Sequence, residues 1–157
     1  MEFHQTDAVS RRRTGAALRR AHLQGSSSIH PSRGTILTVD DDPDALTLLR
    51  LLLRSEGFEV LAALSGAAAL QCVREQMPDL IITDIAMPGM TGLELCRQLR
   101  ASSDTRHIPI IVHTAESVPP TDPLYDRAFR KPADFSALLS RVHRLLLVAR
   151  SEQARSG

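Results

Sequence analysis

Five short apolar runs separated by segments of helical period predict an α/β fold, a doubly wound five-stranded parallel sheet with helices on both faces. Three observations carry that expectation. Leu80-Ile81-Ile82-Thr83 is apolar enough to be buried on both faces, as strands of a covered parallel sheet are. Between such runs, leucines and alanines recur at helical spacing. Gly57 and Pro78 stand where helices of that pattern would stop.

Thr35-Ile36-Leu37-Thr38-Val39 reads as the first strand and runs into Asp40-Asp41-Asp42. Pro43 then opens a helix at a position that tolerates its missing N–H, with Ala45, Leu48, Leu49 and Leu52 on one side and Gly57 as a left-handed cap. Phe58-Glu59-Val60-Leu61 is the second strand. Ser65 caps the next helix, whose inner side is expected to carry Ala69, Leu70, Val73 and Met77. Leu80–Thr83 is the third strand, and a helix after the Asp84–Thr91 loop turns Leu93, Cys96 and Leu99 inward. Ile108-Pro109-Ile110-Ile111-Val112 is the fourth strand, with its proline near the start, where strands tolerate it. Ala128-Phe129-Arg130 is a short fifth strand. Asp134 caps a last helix with Phe135, Leu138, Leu139, Val142 and Leu146 on the core side.

The chain of 157 residues suits one domain with some tail to spare. Residues 1–33 carry an arginine run, Gly25-Ser26-Ser27-Ser28 and few large apolar residues, and read as a disordered Arg-rich extension. Residues 34–150 form the domain, and 151–157 a polar tail. The net charge of +1 argues neither for nor against a nucleic-acid partner, and the arginine arm reads as a solvated tail. Cys72 and Cys96 lie far apart in helical segments and imply no disulfide framework, so both are read as reduced core thiols. No apolar run approaches a membrane span and no secretory signal opens the chain, so the expected location is cytoplasmic.

In an open parallel sheet, functional groups gather at the carboxyl ends of the strands. That rule picks out Asp40-Asp41-Asp42, Asp84, Thr114 and Lys131. Carboxylates gathered there repel one another unless a hard cation such as Mg²⁺ takes them as oxygen ligands. A carboxylate flanked by a metal ion, a lysine and a hydroxyl can accept a phosphoryl group, because that transfer needs positioning and charge neutralisation rather than a strong base.

Five stretches also carry a family resemblance. They are Ile36-Leu37-Thr38-Val39-Asp40-Asp41-Asp42-Pro43, Pro78-Asp79-Leu80-Ile81-Ile82-Thr83-Asp84, Met87-Pro88-Gly89-Met90-Thr91-Gly92, Ile108-Pro109-Ile110-Ile111-Val112-His113-Thr114-Ala115 and Lys131-Pro132. Together and in this order, they resemble the receiver domain of two-component response regulators, of the chemotaxis-regulator kind. The resemblance implies the flavodoxin-like strand order 2-1-3-4-5 and carries roles over by position. Asp84 matches the phosphoacceptor, Asp41 the direct metal ligand and Asp40 the carboxylate that holds the ion through water. The backbone carbonyl of Ala86 matches a further metal ligand, Thr114 the switch hydroxyl and Lys131 the lysine that pairs with the phosphoryl group. Pro132 follows after a cis bond, and Asp42 is a helix cap rather than a ligand. The cofactor implied is Mg²⁺.

The chain also departs from that pattern. The stretch from Thr114 to Lys131 is shorter than is usual for the family and holds Pro119, Pro120 and Pro123, so the helix between strands four and five should be shortened or absent. The usual aromatic switch position falls on Ala128, Phe129 should point to the opposite face, and Tyr125 could stand in only if the segment shifts register. His113 is read as a packing residue of its strand. The expected function is a single-domain response regulator, phosphorylated by a sensor histidine kinase or histidine phosphotransfer protein, without a DNA-binding output domain and acting on an unknown downstream protein. It is a signalling module rather than an enzyme. The alternative is a small Mg-dependent phosphatase of haloacid-dehalogenase type, which Asp40 and Asp42 suggest by their spacing.

Overall fold

The computed structural model of the chain describes residues 31–157, so the expected disorder of the arm falls almost wholly outside the described residues. Among the described residues, every helix and strand lies in the compact unit Ser32–Gly157. In chain order these are β1 (Thr35–Val39), α1 (Pro43–Ser55), β2 (Glu59–Ala63), α2 (Gly66–Glu75), β3 (Leu80–Thr83), α3 (Gly92–Ala101), β4 (Ile110–Thr114), β5 (Arg127–Arg130) and α4 (Phe135–Ser156). The five strands are all parallel, in the order β2-β1-β3-β4-β5.

Alternation along each strand sorts the core into two layers. Leu37, Val39, Ile81, Ile110 and Val112 meet Ala69, Val73, Leu95, Cys96 and Leu99 of α2 and α3. Ile36, Leu80, Ile82 and Ile111 meet Leu53 of α1 and Leu138, Val142 and Leu146 of α4. Leu80, Ile81, Ile82 and Thr83 are all buried, which is why this strand shows no alternation in sequence.

The helix starts follow their caps. Asp42 accepts a hydrogen bond from Asp44 N at 3.0 Å, with Pro43 in the first turn. Ser65 accepts from Ala68 N at 3.1 Å, and Asp134 from Ser136 N at 2.8 Å. Thr91 and Glu94 form a capping box, the structural form of the T-x-x-E pattern at 91–94. Gly57 takes φ +90° after α1, the left-handed turn its position predicts.

Several boundaries differ from the expectation. β2 starts one residue later than expected and ends two later, at Ala63, whose carbonyl accepts Asp40 N at 3.1 Å. β4 begins at Ile110, because Pro109 has no N–H to give the ladder. Met77 is exposed, since α2 ends at Glu75 and the chain turns away before it. Leu93 is only partly buried, and Leu95 takes the inner position. Residues 151–157, expected as a polar tail, are polar and exposed, but α4 continues through them to Ser156. Glu152, Gln153, Ala154 and Arg155 are good helix formers, and no breaker intervenes before Gly157.

No helix forms between β4 and β5. Residues 115–126 instead pack Val118, Leu124 and Tyr125 against the α3 side of the sheet. Tyr125 is 3% exposed and its hydroxyl donates to Pro119 O at 2.8 Å. Pro120 O accepts Ala128 N at 2.9 Å. Arg100, at the end of α3, fastens this segment. Its Nη1 donates to Arg106 O at 2.9 Å and Ile108 O at 2.7 Å, and its Nη2 pairs with Asp126 at 3.2 Å. Asp126 in turn accepts Ile110 N at 2.8 Å. Replacing Arg100 by Ala removes the donor to two carbonyls and the cationic partner of Asp126, which keeps the Ile110 N–H, and should cost about 2 kcal/mol. Urea denaturation should read this as a lower midpoint at unchanged slope; a loss within experimental error would show that the segment holds without the brace.

Candidate functional site

The register of the sheet sets the site. Val39 pairs with Thr83, so Asp40 and Asp84 leave neighbouring strands at the same level. Asp84 N donates to Val39 O at 2.9 Å, and Lys131 N donates to Thr114 O at 2.8 Å, which brings the end of β5 to the end of β4. The Lys131–Pro132 peptide is cis, as expected.

Lys131 bridges the two buried carboxylates. Its Nζ lies 2.5 Å from Asp40 Oδ2 and 3.0 Å from Asp84 Oδ2. Asp40 and Asp84 are only 7% and 9% exposed, whereas Asp41 beside them is exposed. Carboxylate oxygens of Asp40, Asp41 and Asp84 lie within 4.8 Å of one another. Three hard oxygen donors this close, facing a single ammonium, match the donor chemistry of Mg²⁺. Asp42 is not part of this group; its side chain caps α1. The Asp40–Asp42 pair that motivated the phosphatase alternative therefore does not form one site.

The loop after β3 shapes the Asp84 end. Ile85 and Met87 are buried, which leaves Ala86 between them at the surface. Ile85 N donates to Asp84 Oδ1 at 2.6 Å. Gly89, at φ +73°, supplies the left-handed residue of the turn. Gly92 closes the loop with its N–H on Ile85 O at 2.9 Å, and a Cβ on it would stand 1.8 Å from Asp84 O. No side chain fits there without displacing the Asp84 backbone.

Burial pushes the Asp84 carboxyl up, but hydrogen bonds and charge from Lys131, the Thr114 hydroxyl and the Ile85 N–H outweigh it, and its pKa is lowered. Thr114 is fully buried; its hydroxyl accepts Glu116 N at 3.2 Å and acts on Asp84 as a nearby dipole rather than through a geometric hydrogen bond. Burial pulls the Lys131 pKa down, and its bonds to Asp40 and Asp84 more than reverse this. Burial thus opposes the charged form in both partners and the pairing wins in both.

His113 lies nearer the site than a packing role requires. It lines, with Lys131, the cleft between α1 and the start of α4, its Nε2 is buried without a hydrogen-bond partner, and burial and the Lys131 charge lower its pKa. Phe129 packs on the α4 side and Ala128 on the α3 side, as strand periodicity required. Tyr125 lies on the Ala128 side, placed by the turn before β5 rather than by a shift of register. Thr83, whose hydroxyl donates to Asp84 O at 2.8 Å, went unnoticed in sequence because nothing distinguishes it there from a strand threonine.

The model of the response regulator receiver domain matches residues 36–142. This chain belongs to the response regulator receiver domain family. Among curated relatives, the DNA-binding response regulator MtrA of Mycolicibacterium smegmatis is 45% identical over 85 residues, which are 54% of this chain and 36% of that protein. The match thus spans about a third of the length of that relative. Among solved structures, the receiver domain of a signal transduction histidine kinase from Syntrophus aciditrophicus is similar at TM-score 0.67 and 36% identity, covering 72% of this chain and 89% of that one. The response regulator TrrA of Thermotoga maritima, solved in complex with Mg²⁺–BeF, is similar at TM-score 0.65 and 35% identity, covering 71% and 97%. Among the described residues, no helix of this receiver domain is long and apolar enough to cross a membrane.

The shifted groups give the metal-free receiver domain a pH signature. Asp84, lowered from 3.8, contributes stability that is present above that value and lost as pH falls through the folded pKa. Lys131, raised from 10.5, contributes stability that is present below that value and lost as pH rises through the folded pKa. Lys131→Met removes the ammonium and leaves the carboxylates to repel. Its melting temperature in the absence of divalent ions should rise as pH is lowered from about 7 toward 4, where the wild type holds level. Parallel profiles for the two proteins would mean that the ion pair carries no net stability.

Proposed function

We propose that this receiver domain accepts a phosphoryl group on Asp84, in a Mg²⁺-dependent reaction, from a histidine kinase or histidine phosphotransfer protein, and passes the signal on through protein contacts. The observation that carries this reading is the Asp84 carboxylate held beside Asp40, Asp41 and Lys131 at the carboxyl end of a parallel sheet. The Mg²⁺–BeF complex of the similar TrrA supports the same chemistry.

Asp84 Oδ1 is occupied by the Ile85 N–H, so Oδ2, on the Lys131 side, is the attacking oxygen. As the Oδ2–P bond forms, the bond from phosphorus to the donor nitrogen breaks, and the leaving imidazole keeps that electron pair. Lys131 Nζ, already 3.0 Å from Oδ2, moves from the carboxylate to a phosphoryl oxygen. Thr114 turns its hydroxyl hydrogen to another, since its oxygen accepts from Glu116 N and its proton is still available. Asp41 directly, Asp40 through water, and the Ala86 carbonyl are the groups that would hold Mg²⁺ with Asp84; the ion supplies neutralisation of the phosphoryl charge.

Treatment with acetyl phosphate and Mg²⁺ should give one adduct by mass spectrometry, absent in Asp84→Asn, and Asp41→Ala should weaken Mg²⁺ binding about tenfold or more. An adduct that survives Asp84→Asn on another residue would sink the acceptor assignment, and steady turnover of a small phosphoester would favour an enzyme. Hydrogen exchange with and without beryllofluoride and Mg²⁺ should show its largest gain in protection within residues 114–127, because the phosphoryl group recruits Thr114 and Lys131 at the two ends of that segment. Protection confined to α1 or α4 would place the responding face elsewhere.

A further inference from the structure

We infer that Thr83 is a positioning residue for the acceptor: by gripping the backbone carbonyl of Asp84, it aims the Ile85 N–H at the acceptor carboxylate. This rests on Asp84 being the phosphoryl acceptor.

The argument starts from one peptide unit. The carbonyl of Asp84 and the N–H of Ile85 belong to the same planar trans peptide and point in opposite directions, so fixing one fixes the other. Thr83 Oγ1 donates to Asp84 O at 2.8 Å. On the far side of that peptide, Ile85 N donates to Asp84 Oδ1 at 2.6 Å. Gly92, at the start of α3, lies against the same carbonyl and leaves it room, since a Cβ there would stand 1.8 Å from the oxygen. The carboxylate is thus oriented by its own following peptide, and that peptide by the hydroxyl of the preceding residue.

Packing does not ask for a hydroxyl at this place. Thr83 is 1% exposed and follows Leu80, Ile81 and Ile82, all buried. Valine has the same branched shape and suits a buried strand better. Two other buried threonines serve as comparisons, because they bond carbonyls distant from the acceptor: Thr38 to Leu61 O at 3.2 Å and Thr105 to Leu99 O at 2.7 Å. Of these three, Thr83 is the one bonded to the backbone of the acceptor residue. Without its hydroxyl, the 84–85 peptide can tilt, Oδ1 loses an aligned donor, and the carboxylate turns away from the orientation in which Oδ2 meets Lys131.

The test compares wild type with Thr83→Val, Thr83→Ser and Thr105→Val. Calorimetry gives the Mg²⁺ dissociation constant, acetyl phosphate the labelling rate, and NMR the Ile85 amide proton resonance of the metal-free protein. Thr83→Val should weaken Mg²⁺ binding and slow labelling about tenfold each, and shift the Ile85 amide proton upfield. Thr83→Ser should restore both quantities to within about twofold, since the donor returns. Thr105→Val, which loses a comparable buried hydroxyl, should lower the melting temperature and move none of the three. If Thr83→Val does not fold, Thr83→Cys, a weak donor of similar size, takes its place in the same comparison. Wild-type values in the hydroxyl-free variant, or a Thr83→Ser protein as impaired as that variant, would overturn the proposal. Failure of the wild type to be labelled at all would instead remove Asp84 as acceptor, while the Mg²⁺ and Ile85 measurements would still decide what Thr83 does.

Discussion

Two nearly buried carboxylates, Asp40 and Asp84, share one ammonium, and the third, Asp41, stands exposed beside them. Like charges at this range oppose folding unless something compensates, and here Lys131 compensates in part. Much of the surrounding structure serves that arrangement. The β1–β3 register sets Asp40 level with Asp84, the Lys131 N–H on Thr114 O delivers the lysine, and Gly92 closes the loop that follows Asp84. A cluster of three carboxylates and one ammonium retains a net negative charge, which suits it to a hard divalent cation.

The segment between β4 and β5 solves a different problem. A helix there would bury the α3 side of the sheet edge, but three prolines forbid it. Apolar cover comes instead from Val118, Leu124 and Tyr125, and backbone satisfaction from a turn tied to Arg100 through Asp126. Tyr125 consequently lies in the core on the side where Ala128 leaves room, with its hydroxyl engaged by Pro119 O. Burial raises its pKa first, with smaller contributions from Asp122 and Cys96, so it remains a neutral phenol across the physiological range. An aromatic ring is thus present in the core beside β5, but it comes from the connection and not from the strand.

The two ends of this segment, Thr114 and Lys131, both lie beside Asp84, whereas the segment is tied to α3 and β4 through Asp126. The response regulators and receiver domains that this chain resembles are embedded in proteins of different lengths, and the receiver domain itself is the part that the similarity describes.

The strand and helix order, the caps at Asp42, Ser65 and Asp134, the break at Gly57, the loss of a helix among the prolines and the set of residues gathered at the carboxyl ends of the strands are all legible in the amino-acid sequence. These follow from local rules: period, capping chemistry and the missing N–H of proline. Long-range packing alone makes Lys131 span Asp40 and Asp84 together, keeps Asp41 at the surface, and sets His113 in the cleft with Lys131. It likewise packs Tyr125 in the core layer of Ala128, leaves no room for a side chain on Gly92 against Asp84, and sets the Thr83 hydroxyl on the Asp84 carbonyl. Those facts depend on distances between residues remote in the chain, or on the direction of a single carbonyl, and neither periodicity nor residue type encodes them. The far end of α4 shows the converse: residues 151–156 looked like a tail because they are polar, yet helix propensity with no breaker carried the helix to its last turn.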